Sequence, residues 1–233
     1  MKIIEKITEL FNRKSFPSPD PIGELNITIQ KGNTKKALKL IKELDNPDRL
    51  CLLSKQTPLK CAIKERNLAV LNALLDAGAS PNLSVDMKPL ERALIRQFFD
   101  GATVLLERGA DFKDHTHSTK DNMFSKALLV TTCAFGKKDF YKEEKCLKLL
   151  QTFIDKGANV NEVNAYGKTP ITIVADSKRN ETFLIKLADI LLKRGAVVTD
   201  DAIEFAHSRE HKKLAEYLEK KTPLPAKVKS LKI

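Results

Sequence analysis

Four times along this chain an aliphatic run closes on Gly-Ala: Gly78-Ala79, Gly109-Ala110, Gly157-Ala158 and Gly195-Ala196. The unit that precedes this stop signal is fullest between Thr57 and Asn82, TPLKCAIKERNLAVLNALLDAGASPN. Thr57 is a good N-cap, and Pro58 suits a first helical turn, where its missing N–H costs nothing. Leu59, Ala62 and Ile63 then share one helical face. Arg66-Asn67 breaks the run, and a second helix is predicted from about Leu68, with Leu71, Leu74 and Leu75 at helical spacing. Gly78 falls where a left-handed C-terminal cap belongs. The unit is therefore two short antiparallel helices followed by a loop. One such pair cannot bury its own apolar faces, so it predicts neighbours of the same kind.

The Thr57-Pro58-Leu59 start, Ala62 and the Gly78-Ala79…Asn82 ending resemble the ankyrin repeat, whose signature is T-P-L-H-x-A at a period of about 33 residues. The chain departs from that pattern at Lys60, where the family has a His that links neighbouring turns. A looser link is expected there. The resemblance implies an all-α solenoid of five to six helix-turn-helix repeats, used as a binding scaffold.

The other units follow in order. Residues 24–55 form a degenerate first repeat, with Leu25, Ile27 and Ile29 in one helix and Ala37, Leu38 and Ile41 in the next. Repeats are then expected near 56–86, 87–121, 122–163, 164–199 and 200–220. Lys88-Pro89-Leu90 opens the third, 31 residues after Thr57. The fourth is enlarged, with its extra length placed around Lys137–Glu144 as a longer helix or a longer loop. The fifth opens on Asn164-Ala165-Tyr166-Gly167-Lys168-Thr169-Pro170 and has a short insertion near Ser177–Thr182. The sixth has a charged outer face, as a C-terminal cap needs. Residues 1–23 hold an amphipathic segment, with Ile3, Ile4, Ile7, Leu10 and Phe11 in one stripe, and then a Pro-rich turn. A helix that caps the first repeat is expected there. Residues 221–233 read as a basic tail.

Composition narrows the function classes. Four Cys at 51, 61, 133 and 146, with no C-x-x-C pair, suit reduced thiols in a cytosol-like compartment better than a disulfide or zinc framework. No apolar run approaches the ~18 residues of a membrane span, and charges interrupt the N-terminal apolar stretch, which argues against a secretory signal. The net charge is +11, concentrated at the two ends.

No residue set argues for catalysis. His207 and His211 are four apart but have no third ligand, and His115-x-His117 lies in a polar loop. Neither Cys133 nor Cys146 sits in a nucleophile signature. There is no P-loop, G-x-G-x-x-G or G-x-S-x-G. The expectation is a monomeric, non-enzymatic scaffold with no metal, cofactor or small-molecule substrate, bound to a protein partner.

In ankyrin proteins the partner lies against the hairpin tips and first helices of the concave face. The positions this implies are Val85, Met87, Ile95, Arg96, Met123, Phe124, Lys126, Phe135, Tyr166 and Lys168, apolar anchors with a basic rim. The alternative is a binder of nucleic acid or anionic membrane through the basic ends, which salt dependence would separate. Lys outnumbers Arg 32 to 9, a bias expected of an AT-rich genome. A short ankyrin protein of that kind resembles effectors that intracellular bacteria deliver into a host cytosol, an analogy at the level of fold.

Overall fold

The computed structural model describes residues 20–113, 121–133 and 140–222. These contain twelve α-helices and no strand. The expected capping segment within residues 1–19 and the tail after 222 lie outside them. The chain divides after Pro89 into two compact units.

The first unit holds α1 (Pro21–Gln30), α2 (Thr34–Ile41), α3 (Pro58–Lys64) and α4 (Leu68–Asp76). Each helix pair packs on itself, α1 on α3 and α2 on α4, so the unit has two layers. Its core is Ile22, Leu25, Ile29, Leu59, Ile63, Leu71 and Leu74, all buried. The second unit holds α5 (Pro89–Ile95), α6 (Phe99–Glu107), α7 (Met123–Cys133), α8 (Phe140–Asp155), α9 (Pro170–Ala175), α10 (Glu181–Lys193), α11 (Asp200–Ser208) and α12 (Lys212–Lys221). Here α7, α9 and α11 form one layer, and α6, α8, α10 and α12 the other. The fourth repeat's extra length includes a 16-residue α8.

The Gly-Ala signature has a backbone cause. Gly78 has φ +93°, donates to the Leu75 carbonyl, and is followed by Ala79, whose N–H donates to the Leu74 carbonyl at 2.9 Å. This six-to-one bond closes the last helical turn as a Schellman motif, and the Ala then turns inward as a buried residue. Ala110, Ala158 and Ala196 repeat the bond to Leu105, Phe153 and Leu191. A side chain at Gly78 would meet nothing, so the demand is conformational only. Gly78→Ala is expected to cost about 1 kcal/mol, checked by urea denaturation.

Helix starts are equally local. Thr57 Oγ1 accepts from Lys60 N, Asn67 Oδ1 from Val70 N, and Thr169 Oγ1 from Thr172 N. The link that Lys60 was expected to weaken is re-made by a different bond. Lys60 Nζ reaches forward to Asp86 Oδ2 in the next hairpin at 3.0 Å. Thr172, the matching residue of the fifth repeat, reaches Thr199 Oγ1 at 3.3 Å. Both side chains keep the geometric role, tying one first helix to the hairpin that follows it.

Candidate functional site

Apolar side chains left in water on rigid loops are the feature of each unit that packing does not explain. In the second unit they are Val163, Tyr166 and Val197. Tyr166 is 65% exposed, at the tip of a hairpin built around Asn164. The Asn164 and Lys168 backbones are paired at 3.0 Å, Asn164 Oδ1 accepts from the backbone N–H groups of both Tyr166 and Lys168, and Gly167 supplies a positive φ of 75°. Asp121 Oδ1 accepts from Ala165 N, which ties this tip to the preceding one. Asn161 ties it to the following one, donating to the Gly195 carbonyl and accepting from Val197 N at 2.8 Å. Tyr166, Val163 and Val197 are thus presented on braced loops, which lowers the ordering cost of binding.

Below these tips Asp176, at the end of α9, gathers two cations. It accepts from Arg209 Nε and Nη2 at 2.9 and 2.7 Å and from Lys168 Nζ, which also lies over the Phe205 ring. Burial raises the Asp176 carboxyl, but the bonds from Lys168 and Arg209 outweigh it and hold the group below the usual carboxylate range. A folded value below the unfolded one, about 3.9, means the ion cluster stabilises at neutral pH. That contribution is lost as pH falls through the folded value. Asp176→Asn should therefore cost about 1–2 kcal/mol at pH 7 and progressively less as pH falls below the ordinary carboxylate range, read as melting temperature against pH.

The sequence-predicted site residues separate. Val85 and Met87 belong to the first unit, Val85 exposed and Met87 half-buried. In the second unit Ile95 and Arg96 are exposed at the end of α5, Tyr166 is exposed, and Lys126 is half-buried on α7. Met123 and Phe124 are buried, not exposed. They form the first turn of α7, capped by Asn122 on Ser125 N, and the Phe124 ring packs on Phe153 with centroids 5.8 Å apart. Lys168 is not an open rim charge, because Asp176 holds it. Phe135 lies outside the described residues, as do His115 and His117. Sequence reasoning missed Leu83, Val163 and Val197, whose signal is an aliphatic residue in a linker with no helical partner three or four positions away.

The two described histidines considered for metal binding are each engaged by a neighbour. His207 Nε2 meets Glu219 at 3.0 Å and His211 Nε2 meets the Ser177 carbonyl at 2.8 Å, so the two rings serve different neighbours. Cys61 and Cys146 are buried, and burial pushes the Cys61 thiol up to about 11. Among the described residues no helix is long and apolar enough to cross a membrane.

Comparison with known proteins agrees with this architecture. The ankyrin repeat family profile matches residues 54–86. No curated protein sequence matches the chain. Among solved structures, the ankyrin repeat protein EF0377 is 17% identical, with a TM-score of 0.65 over 87% of this chain and 98% of its own. The ankyrin repeat domain of human ASB11 is 16% identical, with a TM-score of 0.62 over 94% and 93%. A chain from the complex of the Bd0816 predatory endopeptidase of Bdellovibrio bacteriovorus with immunity protein Bd3460 is 21% identical, with a TM-score of 0.56 over 85% and 97%. Residues 54–86 thus carry an ankyrin repeat, and the chain has the ankyrin-repeat fold.

Proposed function

We propose that the chain is a non-enzymatic scaffold that binds a protein partner through its hairpin tips and first helices, acting as a monomer. The observation that carries this is the exposed Tyr166, flanked by Val163 and Val197 on loops that Asn161, Asn164 and Asp121 hold in place. A rigid aromatic beside aliphatic residues is the composition of an interface centre. The pairing of Lys168 and Arg209 with Asp176 leaves this face less basic than the sequence implies, which favours a protein over a polyanion. The family's general use as a protein-interaction module supports the same reading. So does the crystallised complex of an endopeptidase with an immunity protein among the structural neighbours. Ile95, Arg96, Val85 and Met87 extend the proposal within their own units. Met123 and Phe124 contribute by holding α7, not by contact. The proposed setting is a reducing cytosol, that of the producing cell or of a host, which the free thiols Cys51, Cys61 and Cys146 suit.

A photoreactive phenylalanine analogue at position 166 tests this. It is expected to give a discrete protein adduct in lysate, while the same group at Glu216, an exposed position on α12, gives none. Equal labelling from both positions, or adducts made only with nucleic acid, would refute the reading.

A further inference from the structure

One face of α1 is a continuous stripe: Asp20, Gly23, Glu24, Ile27, Thr28 and Lys31 recur at helical spacing. With Leu52 and Leu53 of a later loop it lines a groove of about 990 Å³ in the first unit. The aliphatic walls stand in water, Ile27 being 52% exposed, Leu52 59% and Leu53 95%. Asp20 ties the two walls together. Its carboxylate accepts from Leu52 N at 2.8 Å and from Arg49 Nη2 at 3.2 Å, so the walls are ordered before anything binds.

Gly23 gives the groove its depth. It lies within α1 and has no positive φ. A Cβ there would meet Asp20 and Cys51 no closer than 3.5 Å, which is ordinary contact. Neither backbone conformation nor packing demands a glycine, and glycine weakens a helix. What the missing side chain leaves is room one turn before Ile27. The far end of the stripe is basic. Residues 31–42 hold five lysines and no acidic residue, and all five lysines are exposed. Lys36 holds Glu24 at 2.8 Å, and Arg49 holds Asp20. Among the described residues no carboxylate pairs with Lys31, Lys35, Lys39 or Lys42.

We propose that this groove takes an acidic amphipathic helix from a protein partner. Its apolar stripe lies on Ile27, Leu52 and Leu53, and its acidic C-terminal turn meets Lys31 and the lysines beyond it. From Asp20 to Lys31 the stripe runs about 16 Å, or about three helical turns, which accommodates anchors at i, i+3, i+4 and i+7. The negative end of the occupant's dipole belongs beside the lysines, which sets its direction. A nucleic acid would use the lysines but leave the three aliphatics in water. This face adds to the scaffold reading a partner chemistry that does not involve Tyr166.

The probe is a fluorescein-labelled synthetic peptide of about four helical turns, with leucines at i, i+3, i+4 and i+7 and glutamates around its C-terminal half. A matched peptide carries lysines in place of the glutamates. By fluorescence anisotropy the full chain should bind the acidic peptide about tenfold or more tightly than the basic one. Lys31→Glu/Lys35→Glu should cancel that preference. Leu53→Asp, which removes a wall, and Gly23→Leu, which fills the floor, should each weaken binding about tenfold or more, with unchanged melting curves. Lys31, exposed on the rim, is the reporter within the chain. Its acetylation by an N-hydroxysuccinimide ester should slow at saturating acidic peptide, while that of Lys186, exposed on α10, should not change. Val163→Ala/Tyr166→Ala should bind the peptide like the parent, so failure of the tip site leaves this result standing. No binding of the acidic peptide, equal binding of both peptides, or binding indifferent to Leu53→Asp and Gly23→Leu would overturn the proposal. Self-association abolished by Leu53→Asp, without peptide binding, would replace it with pairing between two copies. Binding only to phosphatidylcholine–phosphatidylserine vesicles would replace it with a lipid surface.

Discussion

Phe153→Ala is expected to lower the stability of the second unit by about 3–5 kcal/mol. Phe153 is fully buried on α8, the helix that packs on α6, α7 and α10. Its ring stands edge-on to Phe112 with centroids 5.5 Å apart and tilted against Phe124 at 5.8 Å. Removing it deletes two aromatic contacts as well as the buried area, and its ring partners, one on α7 and one in the loop after α6, cannot both collapse into the gap. Urea denaturation followed by circular dichroism should show a lower midpoint. An unshifted midpoint would mean that α8 does not form the centre of this unit.

Leu74→Ala is expected to cost about 2–5 kcal/mol in the first unit. Leu74 is fully buried on α4, which packs on both α3 and α2, so its side chain contributes within a repeat and between repeats. Its carbonyl also accepts the bond that closes the Gly78-Ala79 turn, but the substitution leaves that bond in place and isolates the packing loss. For domains stable by about 5–15 kcal/mol, the change is a large fraction of the total. A melting temperature equal to that of the parent would show the register of α4 to be wrong.

Local rules made most of the fold readable. Gly78 marks a left-handed position whose neighbours hydrogen-bond across the helix end, and Thr57, Asn67 and Thr169 each cap the helix they precede. These effects act within six residues, so a single sequence shows them. Met123 and Phe124 went astray at a boundary. A hairpin tip and the first turn of a helix occupy adjacent positions, and α7 begins at Met123 itself, which turns both side chains inward. Bonds between repeats were hidden for another reason. Lys60 and Asp86 are 26 residues apart, and Asp176 and Arg209 are 33 apart; nothing in either residue names its partner until the helices are stacked. The exposed Leu53 and Val163 were passed over because an aliphatic residue in a linker resembles noise until its neighbours are seen to leave it uncovered.

The central claim is that the braced tips, not the basic ends, recognise a protein. Its most direct test is the affinity of the crosslinked partner for Val163→Ala/Tyr166→Ala, set against a chain lacking residues 223–233, at 0.1 and 0.5 M salt. Burial of a central aromatic commonly contributes about 2 kcal/mol or more, so the double variant should bind at least about 30-fold more weakly with an unchanged melting curve. The shortened chain should bind like the parent, with little response to salt. Full affinity in the double variant, with loss on shortening and a steep fall in salt, would contradict the account and assign recognition to the charged end.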